Sequence, residues 1–371
     1  MKITEITENL SQLNLIWPEL FVKSRLNNPF LSWQWCSTWW KYFGSGKQLM
    51  VLLAEDTTGP IGLAPLMVTK GDIATLGKPI IQFIGAELAD YSDFLIVQDH
   101  REVLKLFWDY LRSSGNSGKI KLARLTDDSD NFQELLELAS NSNNTSIKAV
   151  CTSPYIKING DWNQFYDSKG RSLKKNLNWC INKLNSFGQL KFDRQETIDP
   201  STLQQLFFIR QKRQEFKPGR SQFEDESFRG FFSELSNSFS SQGWLDFSTL
   251  KLDDQIIAYV YGFKFNGTVF YWNVAFEPKY QEFSPGKTLI KFLLEDSFKK
   301  GYSKFDFMIG DEPYKSHWAT DNRMCFAVTT YACKAYFYIG QIKDRTRNCL
   351  KQLRGKNKTV NKVWIKVSKY L

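Results

Sequence analysis

The strongest constraint on this chain is the order of elements between residues 190 and 309. A strand-like run, LKFDRQE, is followed by two helical segments, PSTLQQLFFIRQKRQEF and ESFRGFFSELSNSFSSQG. Three consecutive strands follow: WLDFSTLKLD, QIIAYVYGFKF and TVFYWNVAF. The pairs Asp253-Asp254 and Asn266-Gly267 separate them and signal hairpins. A loop with Pro and Gly, EPKYQEFSPGK, then opens a helix in which Leu289, Phe292, Leu293 and Phe298 share one face, and Gly301 ends it. The strand KFDFMI and the polar loop GDEPYKSHWAT come next.

That order resembles the GNAT acyltransferase order, and its physics suits a thioester donor. The strands before the loop and after the helix, Val269 to Ala275 and Lys304 to Ile309, are expected to splay into a fork. Unpaired backbone groups there can bond an extended pantetheine arm as an added strand would. The loop and helix start offer free N–H groups and the positive end of the helix dipole to a pyrophosphate. The expected anion site is Ser284, Pro285, Gly286, Lys287 and Thr288. Backbone groups near Trp272 and Asn273 are expected to polarise the thioester carbonyl.

The first half mixes strands and helices as well. It opens with an aromatic helix, SWQWCSTWWKYFG, ending at Gly44, and continues through strand-like runs near residues 49–97 and the helix REVLKLFWDYLRSS. Strands mixed with helices predict an α/β (α+β) fold. A break near Pro154 and Gly160 suggests two units: 1–153, without a visible phosphate loop, and 154–340, with a basic tail over 341–371. The last strands are expected to be MCFAVTTYAC and KAYFYI.

Composition narrows the chemistry. The six cysteines are scattered without a CxxC pair and only two histidines, His100 and His317, are present, which leaves little material for a metal site or a disulfide frame. No metal is expected. No apolar run reaches the length of a membrane span and the N-terminus lacks the apolar core of a secretory signal, so a cytoplasmic protein is expected. The net charge is +10, and residues 341–371 hold ten Lys or Arg against the single Asp344, which places nine of those charges in the tail. Apolar residues interleave with them. Docking on the domain, an anionic membrane surface and a polyanion such as RNA are the readings for such a tail. No nucleic-acid-binding motif accompanies it.

From Tyr271 to Trp318 the sequence resembles the GNAT subfamily of CelD-like acetyltransferases of cellulose biosynthesis. The features are an aromatic strand, the SPG loop, an amphipathic helix closed by Gly, and then Phe305-Asp306-Phe307 and Gly310-Asp311-Glu312-Pro313-Tyr314-Lys315, with Trp318 beyond. The likeness extends more loosely to Arg171 and to Asp90, Tyr91 and Asp93. Such proteins are similar to Fem-type transferases, which implies tandem GNAT-like domains. The resemblance implies transfer of an acyl group, most simply from acetyl-CoA or another acyl-CoA, to an amine or hydroxyl on a small molecule or glycan precursor such as an amino sugar.

Such a reaction needs a base, an oxyanion-stabilising group and an acid for the leaving thiolate. Asp311 and Glu312 are the base candidates and Tyr314 the acid. Asp90, Tyr91, Asp306, Lys315 and Trp318 are the candidates for contact with the acceptor. Two other readings stay open: aminoacyl transfer from charged tRNA, and a GNAT-like scaffold that binds without catalysis.

Overall fold

The computed structural model describes residues 1–115, 117–215 and 224–354. The first half contributes β1 (Lys2–Ile6), α1 (Ile16–Lys23), α2 (Trp33–Phe43), β2 (Gln48–Asp56), β3 (Gly59–Thr69), β4 (Ile80–Phe83), β5 (Leu95–Ile96), α3 (His100–Ser113), β6 (Lys119–Thr126), α4 (Asp130–Ser140) and β7 (Thr145–Lys157). The second contributes α5 (Trp162–Asp167), α6 (Arg171–Asn185), β8 (Leu190–Gln195), α7 (Pro200–Glu215), α8 (Glu226–Ser241), β9 (Leu245–Leu252), β10 (Gln255–Phe265), β11 (Thr268–Phe276), α9 (Pro285–Lys299), β12 (Lys304–Asp306), α10 (Pro313–Trp318), β13 (Asp321–Tyr331) and α11 (Lys334–Arg354). The fold is mixed α/β, as expected.

All the strands join one sheet in the order β1-β2-β3-β4-β6-β13-β7-β12-β11-β10-β9-β8, with β5 added on β3. Two neighbouring pairs are parallel, β4 with β6 and β11 with β12. Each has a helix between its strands, α3 in the first half and α9 in the second. Both helices are entered through a left-handed residue, Asp99 at φ 51° and Ser284 at φ 46°. The halves are thus two copies of one plan.

The copies interlock. β13, from the end of the described chain, lies between β6 and β7. β7 pairs with β13 along most of its length and with β12 through Tyr155, Ile156 and Lys157. The boundary expected between 153 and 154 therefore falls inside a strand shared by both units.

The cores follow this arrangement. One lies over the first half, where α3 and α4 bury Phe107, Trp108, Phe132 and Leu135 against the sheet. One lies under the second, around Leu289, Leu293, Phe305, Phe307 and Trp318. The third spans both. The aromatic helix α2 sets Trp35 and Trp39 against Phe231, Phe263 and Trp272 of the second half, with Trp35 and Trp272 ring centroids 5.2 Å apart. Each large apolar side chain so buried stabilises the fold by roughly 1.5–3 kcal/mol, so separating the halves would expose several such increments.

The hairpin signals hold. β9–β10 and β10–β11 are antiparallel, and the second turn uses Asn266 at φ 44° and Gly267 at φ 72°, the left-handed pair that matches strand twist. Gly262 on β10 has a different role. A Cβ there would lie 2.4 Å from the carbonyl oxygen of Phe270. Gly262→Ala is expected to cost about 1–3 kcal/mol as overpacking, read as a lower urea midpoint with an unchanged slope.

One expected strand is a helix. KAYFYI opens α11 instead of continuing the sheet. β13 is already flanked by β6 and β7, so the next segment finds no open position beside it. Phe337 packs on Tyr331 at 5.9 Å, and Gly340 leaves room for the Tyr331 hydroxyl. Lys343 pairs with Asp72 at 2.9 Å and Asp344 with Lys148 at 2.5 Å. The beginning of the expected tail is therefore the second half of this helix, and 355–371 lie outside the described residues. Among the described residues no helix is long and apolar enough to cross a membrane.

Candidate active site

β11 and β12 run side by side only over Thr268–Phe270 and Lys304–Asp306. Beyond that point they diverge. The chain after β12 turns through Met308 at φ 62° and bonds β7 instead, with Phe307 N donating to Pro154 O and Gly310 N to Thr152 O. The expected fork is therefore present, and a cavity of about 950 Å³ opens in it.

The fork carries a bulge that the sequence does not mark. Between Phe270 and Asn273, β11 advances three residues while β10 advances two, from Phe263 to Tyr261. The extra residue lies at Tyr271–Trp272, and bulges of this kind re-aim side chains beside functional sites. Beyond it, Asn273 stands opposite Tyr261 and Glu277 N bonds Ile257 O, so the odd-numbered residues 273, 275 and 277 turn their backbone groups to β10. The backbone of Asn273 is thus committed to the sheet, which corrects its expected role. Its side chain lines the cavity and accepts from the Tyr259 hydroxyl at 3.4 Å. Trp272, in the bulge, lines the cavity.

Val274 faces the fork, and its carbonyl takes hydrogen bonds from Arg210 at 2.7 Å and Arg213 at 3.2 Å. Both arginines line the cavity, and neither makes an ion pair with a carboxylate among the described residues. Arg213 also covers the Phe276 ring at 4.5 Å. Sequence reasoning missed these two. They lie in RQKRQ, a run that reads as an ordinary solvated helix face.

Ser284, Gly286 and Lys287 line the same cavity. Lys287 N and Thr288 N bond back to Ser284 O. A Cβ on Gly286 would meet only Phe276, at 3.5 Å, so the helix start is open on that side. No acidic residue stands in the first turn of α9, so the dipole end is uncompensated. In the first half, the equivalent helix α3 starts with Asp99 and carries Glu102 in its first turn, charges that repel a phosphate. There the groove beside β6 is also taken, since Ser92 N bonds Arg124 O at 3.0 Å. Thr288 departs from expectation: its side chain is fully buried, its hydroxyl has no partner, and it does not reach the cavity.

At the other end of the cavity stand Asp90, Arg124, Tyr314, Lys315 and Glu312. Arg124 is a bulged residue of β6 at φ 64°. It donates to Ala89 O and lies 3.5 Å from Asp90. Lys315, almost wholly buried, donates to Ile309 O at 2.7 Å and pairs with Glu312 at 2.9 Å. Burial pushes the Asp90 carboxyl up to about 7, against the pull of Arg124 and Lys315. Burial, reinforced by Glu312, raises Tyr314 to about 12, and its hydroxyl interacts with that of Tyr271.

Several expected site residues lie elsewhere. Asp311 is exposed and faces a separate cavity of about 430 Å³ beside Thr152 and Asp321. It turns away because Gly310, at φ 133°, redirects the chain between it and the fork. Trp318 is buried and stacks on Trp162 at 6.2 Å. Asp306 points to the face of the sheet opposite Phe305 and Phe307 by strand alternation, and the Tyr91 hydroxyl reaches it there. There they meet Arg323: Asp306 pairs with Arg323 and accepts from the Tyr91 hydroxyl at 2.7 Å and from Met308 N at 2.8 Å. These residues border a small cavity of about 190 Å³. They support the junction and do not line the fork. Among the described residues no cluster of potential metal ligands exists.

Residues 171–316 match the family model described as an acetyltransferase (GNAT) domain. Comparison with curated proteins by sequence finds no match. Among solved structures, the fold is similar to FemX, with 12% identity, 88% of this chain and 97% of that chain covered, and a TM-score of 0.59. It is similar to a conserved protein of unknown function from Bacteroides thetaiotaomicron VPI-5482, with 12% identity, 89% and 100% coverage and a TM-score of 0.55. It is also similar to a tandem GNAT protein from the clavulanic acid biosynthesis pathway, with 10% identity, 90% and 99% coverage and a TM-score of 0.51. Residues 171–316 thus match a GNAT acetyltransferase domain model, and the chain as a whole has a fold similar to that of a tandem GNAT protein.

Proposed function

We propose that this chain is an acyltransferase that takes an acyl group from acyl-CoA, most simply acetyl-CoA, and passes it to an amine or hydroxyl at the interface of its two halves. The observation that carries the reading is the fork between β11 and β12, open from the start of α9 at one end to Asp90 at the other. Gly286 and Lys287 would receive the donor pyrophosphate. The side of β11 not paired with a strand would receive the pantetheine arm, beside Arg210 and Arg213, which hold Val274 O and add positive charge.

Asp90, rather than Asp311, is the base in this reading. It lines the cavity, and its carboxyl is poised near neutrality, where a substantial fraction is free of its proton and still strongly basic. It takes the proton from the attacking nitrogen or oxygen. Tyr314 stays protonated at neutral pH and gives its proton to the departing sulfur. Arg124 holds the Asp90 loop in place through Ala89 O, and Lys315, anchored by Glu312, holds the turn at Ile309 beside it. The acceptor is drawn from small molecules or glycan precursors, with amino sugars first to be screened. N-acetylation and kinship to the CelD-like enzymes are parts of the same reading, as is a cytoplasmic protein whose tail reaches an anionic membrane surface.

A second reading is aminoacyl transfer from charged tRNA. It is favoured by the fold similarity to FemX over 88% of the chain. A scaffold without catalysis is disfavoured by an open, donor-lined fork.

Calorimetric titration with acetyl-CoA decides among them. Saturable binding in the wild type, lost in Gly286→Trp, is expected, because a large side chain at this position fills the mouth of the anion site. Absence of binding to acetyl-CoA, CoA and longer acyl-CoAs would remove the donor reading.

A further inference from the structure

The donor loop is bordered by an exposed aromatic surface with no role in the chemistry above. Trp179 on α6 and Phe187 just after it are 47% and 53% exposed, a large exposure for rings of this size. Both lean on Phe283, the residue before Ser284, with ring centroids 6.1 Å and 5.1 Å away. Phe187 also meets Tyr280 at 6.1 Å. The turn Pro278–Phe283 that holds Tyr280 and Phe283 leads straight into the helix start. The cluster is therefore continuous with the anion site.

The face of α6 that carries Trp179 is positively charged, while Glu282 in the turn and Asp253 beside Gly188 are the acidic neighbours. Along α6, Lys175, Trp179 and Lys183 follow one another at intervals of four residues, so they form one stripe with the ring between two ammonium groups. All three are exposed, as is Lys287 across the groove. None of these lysines pairs with a carboxylate among the described residues. Trp179 also directly precedes Cys180, whose thiol lies beside Ser284 and Lys287, so the stripe runs along the phosphate loop.

An exposed ring flanked by free cations, next to a pyrophosphate-type loop, is the chemistry that receives a nucleotide: the base stacks and the phosphates are neutralised. We infer that Trp179 and Phe187 form a stacking platform for the adenosine end of the donor, with Lys175, Lys183 and Lys287 holding its phosphates. This rests on the donor reading above and adds where the nucleotide half lies. The adenosine has two sources, the end of coenzyme A and the 3′-terminal nucleoside of a tRNA.

The test compares three ligands on the full-length protein by calorimetry and by Trp fluorescence: acetyl-CoA, acetyl-4′-phosphopantetheine, which has the same arm without the nucleotide, and an RNA minihelix ending in adenosine. The wild type is expected to bind acetyl-CoA at least about tenfold tighter than acetyl-phosphopantetheine, on the scale of one base stacked on an aromatic ring. Trp179→Ala is expected to lower that preference by about tenfold, the share of the stacked base, and leave phosphopantetheine binding unchanged, with Phe187→Ala lowering it less. Both side chains are exposed, so the folded state should persist, checked by an unchanged thermal midpoint. Equal affinity of the wild type for the two thioesters would overturn the platform while leaving the fork as the donor site. Binding of the minihelix alone, lost in Trp179→Ala, would keep the platform and assign it to tRNA. Binding of none would overturn both readings.

Discussion

Asp90→Asn is expected to lower acyl transfer by about 10²–10⁴-fold, the range for removing a general base, with acetyl-CoA affinity unchanged because the anion site lies at the other end of the cavity. In the wild type the rate should rise with pH through about 7, as the carboxyl loses its proton and becomes able to accept one from the acceptor. The variant should lose that limb of the profile. Stability has the opposite sign. The folded carboxyl titrates well above the unfolded value of about 4, so its favourable contribution is complete below pH 4 and is lost as pH rises through about 7. Asp90→Asn should therefore raise the thermal midpoint at pH 8, and the gain should shrink toward pH 4. An inactive variant that is also less stable at pH 8 would mean the carboxylate is structural. A fully active variant would return the base to Glu312.

Arg323→Met is expected to destabilise the fold by about 3–5 kcal/mol, the cost of leaving a buried charge without its partner. Asp306 is fully buried and Arg323 nearly so. Without the guanidinium, the carboxylate retains only the Tyr91 hydroxyl, the Ser153 hydroxyl and Met308 N. These partners come from the first half, β7 and the second half, so the loss loosens the junction that shapes the fork. Urea denaturation reads it directly. The double variant Arg323→Met with Asp306→Leu should recover much of the loss, since an apolar pair of similar volume is often as stable as a buried ion pair. A loss below about 1 kcal/mol in the single variant would show that water reaches Asp306.

What the sequence determined by itself was what rests on local order. Hairpin turns at 253–254 and 266–267, the amphipathic face of α9, the glycines at helix ends and the SPGK helix start are all written in neighbouring residues, because turn conformation and helical spacing depend on residues a few positions apart. From these the antiparallel strands, the loop and the returning strand followed, and with them the fork and its anion end.

Only the tertiary structure decided which side chains share that fork. Asp90 comes from a loop of the first half and Tyr314 from α10, and nothing local to either shows that they border one cavity. Arg124 enters through a bulge set by β13, a strand from the far end of the chain. Asp311 and Glu312 are adjacent in sequence and both border the outer cavity, yet only Glu312 also lines the fork. KAYFYI has strand-like composition, but both sides of the preceding strand, β13, are occupied by β6 and β7, and it forms a helix. The physical reason is common to all of these: pairing partners and burial are non-local, and a strand slot filled by one half of the chain constrains side chains in the other.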